Sequence, residues 1–186
     1  MSIPEIIAVV LGLLYLVLIS FSQRIAWIFG VLSSAIYVYM AFIGAIYLHS
    51  GLQFVYVVLG IFGYINWGKS AETKLKIWTL QKHFLVGIPT LLSALTLGYF
   101  FSKTNQKLPY LDAFITAFAI LATYLTTKSI LENWLYWIVL NLLSMYLWYE
   151  TKQDFQYTVF LFGVNALMAV FGYIFWRKKW KSEQTN

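Results

Sequence analysis

The chain has 186 residues, of which 61% are apolar, 20% aromatic and only 11% charged, with a formal net charge of +6. So few polar groups could not clothe a water-facing surface, and the composition points to a single membrane domain over 1–186 with no separate soluble module. With no cysteine and two histidines, disulfides, a thiol nucleophile and a thiolate or histidine-rich metal cage are excluded.

A bilayer core of roughly 30 Å needs about 20 apolar residues as helix. Seven stretches meet or approach that length, near 4–21, 25–48, 52–67, 84–102, 110–127, 131–149 and 155–176. The first starts at Ile3 without a basic n-region or a small-residue cleavage pattern, so it is expected to be a retained helix. The second opens on RIAWIFG (24–30) and the third, after a break at HSG (49–51), closes on FGYINWGK (62–69). The polar run GKSAETKLKIWTLQKH (68–83) then leads into a fourth span, which Pro89 is expected to kink. The fifth is LDAFITAFAILATYLTTK (111–128), the sixth contains LENWLYWIVLN (131–141), and the seventh closes on FGYIFWRK (171–178) before a basic tail, 177–186.

The bases fall between and after these stretches rather than along one soluble face, which argues for topology signals and against nucleic-acid binding. With the C-terminus cytoplasmic and the N-terminus outside, ten bases fall on the inner side and Lys103, Lys107 and Lys152 on the outer, an asymmetry that one span more or fewer would destroy.

FGYINWGK and FGYIFWRK lie 109 residues apart and close the third and seventh spans. Upstream, RIAWIFG matches ENWLYWI: Trp27 to Trp67 spans 40 residues and Trp137 to Trp176 spans 39. The expected architecture is therefore all-α, seven transmembrane helices in a 3+1+3 plan. Parallel three-helix bundles (1–67 and 110–176) flank a loop and linker helix (68–109), a known transporter layout with substrate near the midplane.

Polar groups inside a bilayer are costly, so those retained there are functional candidates. In the sixth span Trp134, Trp137 and Asn141 stand at i, i+3 and i+7, on one helical face. Two π surfaces and an amide suit an aromatic, hydrogen-bonding ligand, with a cation–π contribution if its ring is positive. In the third span Gln53, Tyr56, Gly60, Tyr64 and Trp67 form one stripe, and in the seventh Tyr157 and Asn165 share a face. Gln53, Tyr157 and Asn165 are accordingly expected to help bind substrate, and Tyr56, Trp67 and Asp112 to occupy gate or interfacial positions. The threonines of the fifth span, Thr116, Thr123 and Thr127, read as mostly structural, because such hydroxyls bond their own helix. No lysine falls within a span, so a retinal Schiff base is excluded, and there is no Walker loop, no HExxH and no Gly-rich dinucleotide turn. A passive conduit without catalytic residues, metal or cofactor is expected.

LENWLYWIVLN (131–141), Tyr157, LQFVYVVLGIFGYINW (52–67) and LDAFITAFAILATYLTTK (111–128) resemble the PnuC family of bacterial vitamin transporters, and the WxxWxxxN pattern at Trp134, Trp137 and Asn141 is the most specific part of the likeness. The resemblance implies a SWEET-like fold, facilitated diffusion of nicotinamide riboside across the inner membrane, homotrimeric assembly, and a cytoplasmic kinase that traps the imported vitamin. Thiamine, riboflavin or a deoxynucleoside is the alternative cargo it implies.

Overall fold

The computed structural model of the chain describes residues 3–44, 47–68, 74–151 and 155–185. Among these described residues there are seven helices: α1 (Ile3–Ser20), α2 (Ala26–Ile43), α3 (Tyr47–Asn66), α4 (Leu80–Phe101), α5 (Pro109–Thr127), α6 (Asn133–Thr151) and α7 (Phe155–Thr185). By length and composition α1, α2, α4, α5 and the part of α7 from Val159 are each apolar enough to cross a membrane. Of these five, α5 is the most buried and α4 the least, so α4 is the peripheral helix and α5 a central one. The outer face of α4 is correspondingly apolar, with Phe84, Leu85, Ile88 and Leu92 all exposed.

Neighbours in sequence pack as antiparallel hairpins, α1 on α2, α2 on α3, α4 on α5, α5 on α6 and α6 on α7. Two further interfaces, α1 on α7 and α3 on α5, lock the first three helices against the last three. Four tryptophans form the centre of that lock. Trp27 meets Trp67 edge to face at 5.5 Å, Trp134 meets Trp176 edge to face at 5.5 Å, and Trp67 lies 5.9 Å from Trp176. The C-terminal ends of α3 and α7 therefore reach the same layer, as the repeated FGYxxW phrase requires.

The correspondence between the two units is closer than the phrase alone conveys, and it changes one pairing. Ser22 and Ser129 are the residues of the first interhelical turn in each unit with left-handed backbone, at φ 57° and 59°. Trp27 and Trp134 each stand five residues beyond them. A β-carbon added at Gly63 would lie 2.5 Å from the Trp27 ring, and one at Gly172 would lie 2.6 Å from the Trp134 ring. Trp27 thus corresponds to Trp134, not to Trp137 as the near-equal spacing to Trp176 had indicated. The glycine one turn before each terminal tryptophan exists because the indole fills the space where its side chain would be.

Two boundaries also differ from expectation. The α2–α3 break falls after Gly44, whose N–H closes on Met40 O at 3.0 Å, and His49, Ser50 and Gly51 lie inside the start of α3. There the Ser50 hydroxyl donates to Val38 O at 3.0 Å, joining the two helices, so HSG is a packing feature and not a turn. The basic tail is helical: α7 continues to Thr185, and its 31 residues extend about 46 Å at 1.5 Å per residue, well beyond a bilayer core. Arg177 to Gln184 contains neither glycine nor proline, and Trp180 packs against the buried cluster around the four tryptophans. Pro89, expected to kink the fourth span, sits within α4, which continues through it from Leu80 to Phe101.

The segment 74–79 lies across this end of the molecule. Lys76 donates its N–H to Ser129 O at 2.9 Å and accepts from Leu131 N–H at 2.8 Å. Leu75 N–H donates to the Glu183 carboxylate at 3.0 Å, and Trp78 N–H donates to the Glu132 carboxylate at 3.3 Å. These bonds press the Leu75 side chain, 5% exposed, into the cluster containing Trp67, Trp134 and Trp176. Three of the bases placed on the inner side by sequence lie at this end: the Arg24 guanidinium 3.8 Å over the Tyr64 ring, Lys128 4.5 Å over Phe62, and Lys76 in the strap.

Candidate functional site

Above the tryptophan layer lies a cavity of about 260 Å3 between α1, α2, α5, α6 and α7. It follows α1 from Ala8 to Ile19, roughly 16 Å of helix axis. Trp134, Trp137 and Asn141 of α6 and Asn165 of α7 line it together. Helical spacing places the first three on one face, and the α6–α7 hairpin brings Asn165 beside them.

The two tryptophans have different surroundings. Trp134 is 2% exposed, held between the Trp176 ring and the Gly172 backbone, and forms part of the floor. Trp137, half-buried, is the indole with surface left for a ligand. Asn141 is 7% exposed and donates its side-chain N–H to Trp137 O at 2.7 Å, which fixes the amide and turns its oxygen into an acceptor on the cavity wall. The half-buried Asn165 carboxamide has no hydrogen-bond partner among the described residues, which leaves its donors and acceptor open to a ligand.

A second cavity of about 160 Å3 adjoins the first, and Gly12, Tyr15, Ser33 and Trp137 line both. Tyr56 belongs to this second cavity, with Trp27, Ser34, Gly60 and Thr123. Of the other residues singled out by sequence, Trp67 lies beneath the site, 2% exposed, with its indole N–H donating to Thr126 O at 3.2 Å. Gln53 lines neither cavity; its amide lies 3.4 Å from the His49 ring, one turn back along α3. Asp112 stands in the first turn of α5, hydrogen-bonded to the Gln106 side chain, also away from both cavities. The side chain of Tyr157 lies outside the described residues.

The wall opposite α6 comes from residues that sequence reading passed over. Tyr15 of α1 and Ser33 and Tyr37 of α2 line the larger cavity. Ser33 donates to Ala8 O at 2.8 Å, pinning α1 to α2. Thr126 and Asn133 complete the polar floor: the Thr126 hydroxyl sits 3.0 Å from Asn133 Oδ1, and Asn133 Nδ2 donates to Ile130 O at 2.6 Å. The signal available for Tyr15 is that it interrupts an otherwise aliphatic run, LGLLYLVLI (11–19), where any polar atom in a bilayer needs a reason.

Among the described residues, no lysine, arginine, aspartate or glutamate lines either cavity. A partly open, aromatic and amide-bearing chamber between the first and last helices fits a small-molecule membrane transporter. The chain belongs to the family described as nicotinamide mononucleotide transporter, whose model matches residues 2–178. Among curated proteins it is 26% identical to the nicotinamide riboside transporter PnuC of Neisseria mucosa, over 92% of this chain and 71% of that one. It is 25% identical to the nicotinamide riboside transporter PnuC of Haemophilus influenzae, over 90% of this chain and 76% of that one. The crystal structure of a vitamin B3 transporter PnuC matches the fold with a TM-score of 0.76 at 24% identity, over 96% of this chain and 82% of that chain.

Proposed function

We propose that the chain imports nicotinamide riboside by facilitated diffusion across the bacterial cytoplasmic membrane. The observation that carries this reading is a cavity whose described lining is uncharged and bears one accessible indole and three carboxamides, of which Asn133 is tied up in the floor and Asn141 and Asn165 face the space. The Trp137 face suits a pyridinium ring through stacking and cation–π attraction. Asn141 and Asn165 suit the amide and hydroxyl groups of the same ligand. The family description names the mononucleotide, whereas the curated relatives are named for the riboside. The lining favours the riboside, because a phosphate carried into either cavity would meet no cation, and burying an unpaired anion is prohibitive.

In this reading the end with Arg24, Lys76 and Lys128 faces the cytoplasm, with the C-terminus, and the N-terminus lies outside. The tryptophan layer and the 74–79 strap are the closed cytoplasmic gate. Opening requires the two units to part there, breaking Trp67 to Thr126 and Trp176 to Ile19, each worth about 1 kcal/mol net, together with the Trp67–Trp176 ring contact and the packing of Leu75. Direction comes from a cytoplasmic kinase that phosphorylates the entering riboside, since the phosphorylated form no longer fits the uncharged chamber. Homotrimeric assembly belongs to the same reading, with the apolar outer face of α4 available to lipid or a neighbouring subunit.

The test is uptake of labelled nicotinamide riboside into proteoliposomes holding only the purified chain. Saturable flux without ATP or an ion gradient is expected. Absence of saturable flux, or thiamine outcompeting the riboside, would remove this assignment.

A further inference from the structure

The two cavities are counterparts in the two three-helix units. A shift of 107 residues takes Ser22 to Ser129 and Trp27 to Trp134, and a shift of 109 takes Gly63 to Gly172 and Trp67 to Trp176. The first shift relates the opening helix pair of each unit and the second relates the closing helices. It also relates the acceptors of the two terminal indoles, because Trp176 donates to Ile19 O at 3.1 Å and Trp67 to Thr126 O at 3.2 Å, and Ile19 and Thr126 are 107 apart.

Applied to the larger cavity, the same shifts take Leu16 to Thr123, and Trp134, Trp137 and Asn141 back to Trp27, Gly30 and Ser34. They take Asn165 and Ala169 back to Tyr56 and Gly60. Each of these six counterparts lines the smaller cavity. The smaller cavity is the equivalent compartment, rebuilt with different chemistry. Glycine replaces the ligand-facing indole, and a β-carbon at Gly30 would lie 2.8 Å from the Tyr15 ring, so Tyr15 from α1 occupies that space. Hydroxyls at Ser34 and Tyr56 replace the two carboxamides, and Thr123 adds a third, donating to Ala119 O at 2.8 Å with its lone pairs free to accept.

We propose that the smaller compartment is the sugar subsite, holding the pentose of a nucleoside-like substrate through Ser34, Tyr56 and Thr123 while the aromatic ring lies in the larger compartment on Trp137. This rests on the transport reading above. Gly12, Tyr15, Ser33 and Trp137 line both compartments, so the two are adjacent, with no more than these residues between them. At about 160 Å3 against about 260 Å3 the smaller compartment is the lesser of the two, in keeping with a pentose beside an aromatic ring. Hydroxyl-lined walls read a polyol by exchanging donors and acceptors, and a site built that way discriminates against a ligand lacking the hydroxyls.

The experiment titrates the purified full-length chain, followed by tryptophan fluorescence, with nicotinamide riboside and with 1-methylnicotinamide, which carries the same cationic ring without the sugar. Ser34→Ala and Tyr56→Phe are tested separately, since each deletes a hydroxyl and little else. Each is expected to weaken riboside binding by about tenfold while leaving 1-methylnicotinamide within twofold of wild type. Unchanged riboside affinity in both variants, or equal loss for the two ligands, overturns the sugar subsite and leaves the transport reading standing. Failure of the wild-type chain to bind the riboside overturns both.

Discussion

Trp67 and Trp176 lie 5.9 Å apart, and each donates its indole N–H to the first helix of the opposite unit, Trp67 to Thr126 O and Trp176 to Ile19 O. The two bonds cross the junction in opposite senses and hold both units against the floor of the cavity. Replacing Trp176 with Phe keeps a ring in the layer but removes the indole donor, leaves the Ile19 carbonyl with the Ser22 N–H alone, and opens a void where the larger ring stood. The expected loss is about 1–3 kcal/mol, read as a lower midpoint of thermal unfolding in detergent. Trp67→Phe should cost a similar amount, and the double variant should depart from additivity because the two rings touch.

The glycines beneath these tryptophans allow a sharper contrast. Gly172→Ala would drive a methyl to 2.6 Å from Trp134, whereas nothing lies within 4 Å of a β-carbon at Gly51. Gly172→Ala should therefore destabilise by about 1–3 kcal/mol, while Gly51→Ala, in an open helical position, should be neutral or slightly stabilising. Thermal unfolding of the two variants side by side checks the packing.

Ser22 adopts φ 57° and its buried hydroxyl has no hydrogen-bond partner among the described residues. Glycine there removes both the left-handed penalty and the unsatisfied group. Ser22→Gly is expected to raise stability by about 1 kcal/mol, visible as a higher unfolding midpoint.

The strap should be locally labile through one carboxylate. Glu183→Ala deletes the acceptor of the Leu75 N–H and frees the backbone at 74–76 from α7. Amide hydrogen exchange at Leu75 and Lys76 is expected to accelerate by about tenfold or more, with α5 and α6 protection unchanged.

Seven helices and the polar-aromatic face of α6 were legible because hydropathy and 3.6-residue periodicity are local properties. The equivalence of the two FGYxxW ends was legible for a similar reason, since the same contact leaves the same residues. What was not legible depended on contacts between distant segments. Trp27 and Trp137 had nearly the right spacing, yet the cradles at Gly63 and Gly172 pair Trp27 with Trp134. The HSG break was misplaced because Ser50 bonds across to α2, and the tail became helix because Trp180 and Glu183 found partners around the strap. Gln53 shares a helical stripe with Tyr56, but that stripe runs past the end of the cavity, and periodicity gives a direction without a depth. The walls from Tyr15, Ser33 and Tyr37 were missed because Tyr15 stands alone in an aliphatic run, Ser33 and Tyr37 fall among the other polar positions Ser34 and Tyr39, and only the α1–α2 packing brings them opposite Trp137.

The divided fate of the predicted ligand residues gives a further prediction. Asn141→Leu, which removes the fixed amide oxygen from the wall, should weaken nicotinamide riboside binding by at least about tenfold. Gln53→Ala should leave affinity within about twofold, because Gln53 lines neither cavity. Calorimetric titration of both variants separates the two positions.

The uncharged chamber is the central claim, and the measurement that tests it most directly is equilibrium binding of nicotinamide riboside and its mononucleotide to the purified wild-type chain. The two ligands differ by one phosphate, and no cation lines either cavity among the described residues. The riboside should bind at least about a hundredfold more tightly, because the phosphate would be buried without a counter-charge. Equal affinity for the two, or preference for the mononucleotide, would contradict the account.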